Sequence, residues 1–340
     1  MNKEILRDRI KAMFFGIAIG DALGMPWEMM KMNQILSSGK NISRYYNPPE
    51  DHKFHGGKLQ AGEITDDTQL SLVVAESLIA CRKLDMDDLA RRHVAALDKS
   101  TSGWGGGTRN AIQKIKDGAS WKVSGTDSIG NGVMMKISPF GALMATLISD
   151  GQLTEELWLQ QAKDLGSMTH QSRLALASGW IQAELIRFCL LWNNPSRQHG
   201  GFRKQFLLLA IKACLQIECE YDDFEQTPVR LVDRLINLFY DRQYLKDISS
   251  LAELYGNKPF LVYNSLPLTY ACFLGIPDKI QSLYNSILVG GDTDTNASIV
   301  GALLGAKNGL AIFPRHLIDG LREKELIQDV AERFCDRFVG

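Results

Sequence analysis

The stretch GGDTDTNASIVGALLGAKNG, at residues 290–309, decides both the fold and the chemistry that this chain can carry. Gly290 and Gly291 precede two carboxylates, Asp292 and Asp294, and a run of small and apolar residues with helical character follows. In the middle of a helix, side chains two positions apart point to nearly opposite faces, but a turn that enters a helix can aim both at one point. Asp and Thr oxygens suit Mg²⁺ or Mn²⁺. The stretch therefore favours a cation site at a helix start, and the two glycine amides offer a second use, as a cradle for phosphate oxygens.

A second acidic cluster, ITDDTQ, stands at residues 64–69, directly before another apolar helix. Asp and Thr are preferred N-cap residues, so a capping role is one interpretation. A cap needs only one such side chain, however, and the adjacent Asp66 and Asp67 repel each other unless a cation or solvent separates them. Both interpretations stay open on this cluster alone. Together with Glu28, the two clusters supply five carboxylates, which approach charge balance with two divalent ions and favour a binuclear centre that can clamp a diol and activate water.

The composition describes an ordinary globular protein of 340 residues, with 45% hydrophobic residues and 38 Lys+Arg against 39 Asp+Glu. The formal charge of −1 argues against non-specific nucleic-acid binding. We expect no membrane span: the start lacks an apolar signal region, and proline and polar residues interrupt the uncharged segment 259–276. Six cysteines without a CxxC pair suggest buried thiols in a reducing compartment, so we expect a cytoplasmic protein.

Helical periodicity runs along the whole chain, and no alternating run long enough for a sheet occurs. We expect N-caps at Asp85 and Thr108, and a helix opened by Ser138-Pro139. Later helices are predicted near 172–192, 202–217, 228–240, 266–274, 278–288, 295–307 and 323–338, and surface loops at 32–62 and 193–201. The fold prediction is a single all-α domain over residues 1–340, with an elaboration around 192–226.

Several further motifs are weak when each is taken alone. The glycine-rich SGWGGGT at 102–108 lacks the lysine of a phosphate loop and a preceding strand, so it indicates a flexible loop. Asn131 between Gly130 and Gly132 is typical of a turn, and a lone His170 is more often a packed or capping residue than a catalytic one. His52 and His55 lie in a loop, where nothing in the sequence pairs them with a cysteine or a carboxylate at metal spacing.

Taken in order, these strings resemble the ADP-ribosylglycohydrolase family, which includes the dinitrogenase-reductase-activating glycohydrolases. The resemblance rests on GIAIGDALGMPWE at 16–28, ITDDTQLSL at 64–72, GNGVMMKISPFG at 130–141, Thr169-His170, and GGDTDTNASIVGALLGAKNG at 290–309. It covers approximately residues 11–171 and 284–309. Residues 181–283 are matched only by their helical character.

The resemblance implies a compact all-α domain with two Mg²⁺ or Mn²⁺ ions at one end. The metal ligands that it implies are Thr65, Asp66, Asp67, Asp292, Asp294 and Thr295. Asp294 is implied as the bridging ligand, and Glu28 lies near the metals and the distal ribose. The implied ligand-contacting residues are Gly105, Gly106, Gly107, Thr108, Asn131, Gly132 and His170, to which the phosphate argument above adds Gly290 and Gly291. Glu28, Asp66 and Asp294 are therefore the candidate catalytic residues.

The function that the resemblance implies is hydrolysis of the glycosidic bond between ADP-ribose and a modified acceptor, with ADP-ribose as product. An ADP-ribosyl-arginine on a protein is the leading substrate. Serine-linked, nucleic-acid-linked or small-molecule derivatives are the enzymatic alternative, and nucleic acid enters only as such a modified substrate. A blocking or immunity protein that binds an ADP-ribosyltransferase is the non-enzymatic alternative.

Overall fold

The structure is a computed structural model, and it describes residues 2–99, 104–147, 154–193, 199–221 and 228–340. The described residues form 17 α-helices and no β-strand, with about 69% of the chain helical, which confirms the all-α prediction. In chain order the helices are α1 Lys3–Gly24, α2 Met32–Ser37, α3 Asp66–Cys81, α4 Met86–Lys99, α5 Gly106–Lys116, α6 Trp121–Ser124, α7 Ser138–Leu147, α8 Glu155–Ser167, α9 Arg173–Leu191, α10 His199–Glu218, α11 Leu231–Tyr240, α12 Ile248–Tyr255, α13 Val262–Gly275, α14 Gln281–Leu288, α15 Thr293–Asn308, α16 Arg315–Asp319 and α17 Lys324–Phe338.

The centre of the fold is the close packing of α1 against α15. Gly16, Gly20 and Gly24 recur every four residues along one face of α1. A methyl group at Gly20 would lie 2.1 Å from the carbonyl oxygen of Ala297, and one at Gly16 would lie 2.1 Å from that of Gly301. The two backbones therefore touch, and this contact fixes the first turn of α15 beside the end of α1.

The middle of the chain packs around α9, which lies against α7, α8 and α10. Helix α9 is long and apolar enough to cross a membrane by length and composition, but 83% of its most apolar window is buried inside the protein. Arg173, at its start, donates to Glu218 at the end of α10 over 2.7 Å, and both side chains are fully buried. A buried pair of this kind ties the two helices together, because either charge alone would be costly to bury.

Some predicted element boundaries are wrong. Helix α5 begins at Gly106 with Gly105 as its N-cap, so Thr108 lies inside the first turn and does not cap the helix. Helix α2 falls within the predicted 32–62 loop, and α6, α8 and α12 were not predicted. The expected elaboration at 192–226 contains α10, whose Phe206 and Cys214 are fully buried. Residues 102–103, 194–198 and 222–226 of the predicted loops and elaboration lie outside the described residues. That the 192–226 segment is an elaboration of a smaller core stays a prediction.

Candidate active site

A cavity of about 610 Å³ opens where α3, α5 and α15 begin. Its floor is acidic, with carboxylates from three separate parts of the sequence. The candidate residues that line it are Glu28, Asp66, Gly105, Gly106, Gly107, Thr108, Asn131, Gly132, His170, Asp292, Asp294 and Thr295. Exposed Lys53, Lys58 and Arg109 and the half-exposed ring of Phe260 also line it.

Asp21 anchors the start of α3, and so holds the TDD cluster in place. Its carboxylate, which is completely buried in α1, accepts hydrogen bonds from the backbone amide and hydroxyl of Thr65, at 2.9 and 2.7 Å. It also accepts from the amide and hydroxyl of Thr68, at 3.1 and 2.5 Å. Asp21, 44 positions before Thr65, thus accepts the hydrogen bonds that an N-cap side chain would accept. Asp66 and Asp67 are therefore available for another role.

A polar network of Asn131, Ser265 and Asp67 holds the start of α15. Asn131 donates from Nδ2 to Asp292 at 2.7 Å and to the hydroxyl of Ser265 at 3.1 Å. The Thr295 hydroxyl donates to Asp67 at 3.2 Å, which directly joins the two acidic clusters that the sequence separates by more than two hundred residues. The structure therefore brings the TDD and DTDT strings together.

The electrostatics of this floor are unfavourable without a cation. Burial, together with the charge of Asp21, raises the pKa of Asp66 to about 8. Burial and then the charge of Glu28 raise the pKa of Asp292 to about 6. Burial and neighbouring carboxylates also raise the pKa values of Asp67 and Asp294 well above their ordinary range. Like charges crowded out of water in this way become stable when a cation or protons neutralise them.

The donor set fits a divalent cation. Oδ1 of Asp67 is buried and has no hydrogen-bond partner among the described residues, so it is an acceptor without a donor. Glu28, His55 and Asp294 each place one potential ligand atom within 4.8 Å of the others. The Thr65 hydroxyl is less available as a metal ligand, because it already donates a hydrogen bond to Asp21. Carboxylate and hydroxyl oxygens in this arrangement are what Mg²⁺ and Mn²⁺ require.

Two histidines that the sequence analysis set aside hold Glu28. His55 lies 2.7 Å from a Glu28 carboxylate oxygen and 4.0 Å from Asp294, and it is almost completely buried. His52 stacks on His55 and donates from Nε2 to the Glu28 carbonyl oxygen at 3.1 Å. His55 thus meets two carboxylates that no spacing in the sequence indicated, whereas His52 contacts the backbone of Glu28. The usable signal was the His-x-x-His spacing in a turn, which places both rings on one side.

The loop that carries these histidines is fastened to the C-terminal part of the chain. The Tyr45 hydroxyl donates to the carbonyl oxygen of Leu317 at 2.8 Å. The amide of Arg322 donates to the carbonyl oxygen of Gly62 at 3.0 Å, and its guanidinium reaches the carbonyl of Ala61 at 3.3 Å. Anchors at both of its ends therefore set the position of His55.

The two glycines before Asp292 do not serve as a phosphate cradle. The amide of Gly291 donates to the carbonyl oxygen of Met30 at 2.8 Å, and that of Gly290 donates to Ile287 at 2.9 Å. Both have positive φ, +83° and +88°, a conformation that glycine adopts at little cost. Their role is to pair with the chain that follows α1, and the expectation of free amides is wrong.

The cavity wall next to the acidic floor consists of the glycine-rich segment 105–107, Gly132 and His170. The amide of Gly105 donates to Asp66 at 3.3 Å, so the glycine-rich segment lies directly beside the TDD cluster. A methyl group at Gly132 would lie 2.7 Å from the His170 ring, which explains why no side chain stands there. His170 is almost completely buried, and it lines the cavity.

Comparison with known proteins places this geometry in a family. The family model described as ADP-ribosylglycohydrolase matches residues 2–340. ADP-ribosylhydrolase ARH3 of Homo sapiens is 25% identical, with 96% of this chain and 93% of that protein covered. The ADP-ribosyl-(dinitrogen reductase) glycohydrolase of Rhodospirillum rubrum is 27% identical, over 92% and 90% of the two chains. The ADP-ribosylarginine hydrolase Tri1 of Serratia proteamaculans is 24% identical, over 96% and 78%.

A solved structure, titled ADP-ribosylglycohydrolase-related protein complex, superposes on this fold with a TM-score of 0.68 and 23% identity, covering 98% of this chain and 99% of that one. This likeness supports the fold, and the family match over nearly the whole chain supports the glycosidic bond hydrolysis that the names of the relatives describe. The chain therefore belongs to the ADP-ribosylglycohydrolase family.

Proposed function

We propose that this protein is a Mg²⁺- or Mn²⁺-dependent hydrolase that releases ADP-ribose from a modified protein side chain, most directly from ADP-ribosyl-arginine. The observation that carries the proposal is the convergence of Asp66, Asp292 and Asp294 on one cavity floor. Asp67 lies directly behind them, bonded to Thr295 and with one buried oxygen that has no donor, and the pKa values of all four carboxyl groups are raised. A site of this kind favours divalent cations, and two of them would offset four of the five negative charges when Glu28 is included.

When bound, such ions supply Lewis-acid stabilisation of the ribose hydroxyls and of water. The residues of the chain provide the rest. Glu28, oriented by His55, is placed to hold a water molecule and to take its proton. The water oxygen forms a bond to the ribose C1″ as the bond from C1″ to the acceptor breaks. The acceptor keeps the electron pair of that bond and receives the proton that Glu28 took from the water, so Glu28 returns to its ionised form.

The remaining walls suit the rest of an ADP-ribose molecule. Asn131, Gly132 and His170 stand beside the floor, where they would contact ribose and pyrophosphate. Lys53, Lys58 and Arg109 add positive charge to the lining, which stabilises a diphosphate. Phe260 offers an exposed aromatic face. We place this activity in the cytoplasm, in line with the buried free thiols of Cys189, Cys214, Cys272 and Cys335.

The test is release of ADP-ribose from defined arginine-, serine- and nucleic-acid-linked substrates, with Mg²⁺, with Mn²⁺ and with a chelator. We expect metal-dependent release, fastest from the arginine linkage. No release from any of the substrates with either ion overturns the proposed hydrolase. Release from the serine or nucleic-acid linkage alone overturns the arginine assignment and leaves the hydrolase in place.

A second assay, in which an ADP-ribosyltransferase modifies a target protein in the presence of this protein, separates hydrolysis from blocking. Asp66→Asn removes a floor carboxylate, and Asp233→Asn, at an exposed position of α11, is the matched control. If Asp66→Asn still protects a target protein from modification but hydrolyses nothing, the protein acts as a blocker. If protection disappears together with hydrolysis, the enzymatic proposal holds.

A further inference from the structure

Behind His170 lie two buried polar side chains, Lys136 and Thr169, that the proposed chemistry does not use. Lys136 is completely buried, and its Nζ donates to the hydroxyl oxygen of Thr169 at 2.7 Å. The same hydroxyl lies 2.9 Å from Nδ1 of His170. Thr169 is completely buried and His170 is 3% exposed. A buried lysine is costly, so an arrangement that keeps one here calls for a role.

The direction of each hydrogen bond follows from the donors available. An ammonium group has no acceptor, so the Thr169 oxygen accepts from Lys136 and its own single hydrogen is left to donate. The acceptors in reach are Nδ1 of His170, at 2.9 Å, and the carbonyl oxygen of Gly166, at 3.4 Å. The shorter contact is to the histidine. A nitrogen that accepts a hydrogen bond carries no proton.

The other ring nitrogen of His170 faces the cavity. A methyl group at Gly132 would lie 3.1 Å from Nε2 and 3.2 Å from the Thr108 hydroxyl, and one at Gly107 would lie 3.3 Å from Nε2 and 3.1 Å from the Ser128 hydroxyl. This edge of the ring therefore faces two glycines, with two hydroxyls nearby. Across the described parts of the chain, Nε2 has no hydrogen-bond partner. Burial lowers the pKa of His170 to about 3, so the ring is neutral and has a single N–H.

We propose that Lys136 and Thr169 are positioning residues that fix His170 in the tautomer with its proton on Nε2, so that the cavity presents an N–H donor to an oxygen of the bound ligand. The identification of that oxygen as one in ADP-ribose rests on the proposed function. The tautomer does not, because contacts within the protein alone determine it. In a neutral imidazole the partner of one nitrogen decides which nitrogen carries the proton.

The tautomer can be read by nitrogen NMR of protein labelled with ¹⁵N-histidine. Because burial lowers the pKa of Lys136 to about 7, the measurement is made at about pH 6, where the ammonium form predominates. The His170 signals are assigned by their loss in His170→Gln. We expect one acceptor-type nitrogen and one N–H-type nitrogen in the wild type. Thr169→Val removes the hydroxyl at nearly constant volume, and Lys136→Met removes the donor that orients it. Both changes should move the two nitrogen shifts toward each other, as the tautomers begin to exchange.

Two further variants separate this role from a purely structural one. Thr169→Ser keeps the hydroxyl and should retain the wild-type pattern. Thr126→Val removes a hydroxyl that bonds the backbone of Thr169 but not His170, and it should also retain that pattern. A wild-type His170 protonated on Nδ1 overturns the proposal, and so do unchanged shifts in Thr169→Val and Lys136→Met.

Binding of ADP-ribose, measured by calorimetry, gives the second readout. Loss of one well-oriented donor should weaken binding roughly five- to tenfold in Thr169→Val and Lys136→Met, and less than about twofold in Thr169→Ser. A wild-type protein that binds no ADP-ribose overturns the proposed function. The NMR result then decides by itself whether Lys136 and Thr169 fix the tautomer of His170. If the tautomers of His170 exchange in Thr169→Val but this variant binds ADP-ribose as tightly as the wild type, the Nε2–H group is not a donor to the ligand.

Discussion

Replacement of Gly20 by alanine tests the packing that holds the site together. The added methyl group would lie 2.1 Å from the carbonyl oxygen of Ala297 and 2.5 Å from the amide nitrogen of Ser298. Carbon and oxygen atoms in ordinary contact are separated by about 3.5 Å, so α1 and α15 would have to move apart by about 1.4 Å. Because both obstacles are backbone atoms, no change of side-chain rotamer can relieve the overlap.

The cost of this separation exceeds the gain in helix propensity. Overpacking costs about 1–3 kcal/mol and sometimes more, and the rigid backbone contact places Gly20→Ala at the upper end, at about 3 kcal/mol. For 340 residues the entropy of unfolding is about 0.7 kcal/mol/K, so this cost lowers Tm by about 4 °C. Differential scanning calorimetry with the metal removed measures the effect without a contribution from ion binding.

The matched control is Gly201→Ala, at an exposed position of α10 where an added methyl group meets nothing within 4 Å. Alanine is a better helix former than glycine, so the control should melt at the wild-type temperature or about 1 °C higher. If Gly20→Ala also melts within about 1 °C of the wild type, the close contact between α1 and α15 is not present in solution, and the reasoning fails.

Three further outcomes follow from the acidic floor. Asp66→Asn should abolish turnover and leave the helical circular dichroism spectrum unchanged, whereas Asp233→Asn should retain full activity; an active Asp66→Asn contradicts the metal role of that residue. Mg²⁺ or Mn²⁺ at about 100 times its Kd should stabilise the chelator-treated protein by about 2.7 kcal/mol, and an identical Tm with and without the ions contradicts the cation site. Because burial raises the pKa of Asp66 to about 8 and that of Asp292 to about 6, the metal-free site holds protons that must leave on binding. Mn²⁺ affinity should therefore rise at least about tenfold from pH 6 to pH 8, with proton release in calorimetry across buffers, and an affinity independent of pH contradicts the raised pKa values.

The sequence predicted the helical architecture and both acidic strings because each is a local property. Apolar periodicity marks a buried helix face wherever it occurs, and the DTDT and TDD strings each precede such a helix. The fold class and the family resemblance were confirmed on this basis. Twelve of the residues that the resemblance proposed line the cavity, whereas Thr65 and Asp67 do not, and Lys53, Lys58, Arg109 and Phe260 line it without having been proposed. The contact between Thr295 and Asp67 joins the two strings.

What the sequence did not predict depends on contacts between distant segments. Asp21 resembles a stray carboxylate within an apolar helix until the amides of Thr65 and Thr68 are brought to it. His55 becomes informative only when its loop folds back over Glu28. The glycine amides before Asp292 satisfy backbone carbonyls, and no local pattern distinguishes this use from phosphate binding.

The fastening of the histidine-bearing loop makes the arrangement around Glu28 depend on the last part of the chain. Leu317 and Arg322 contribute no atom to the cavity lining, yet they clamp the two ends of the segment from which His55 reaches Glu28. Shortening the protein before α16 would free that segment even if the carboxylates stayed in place.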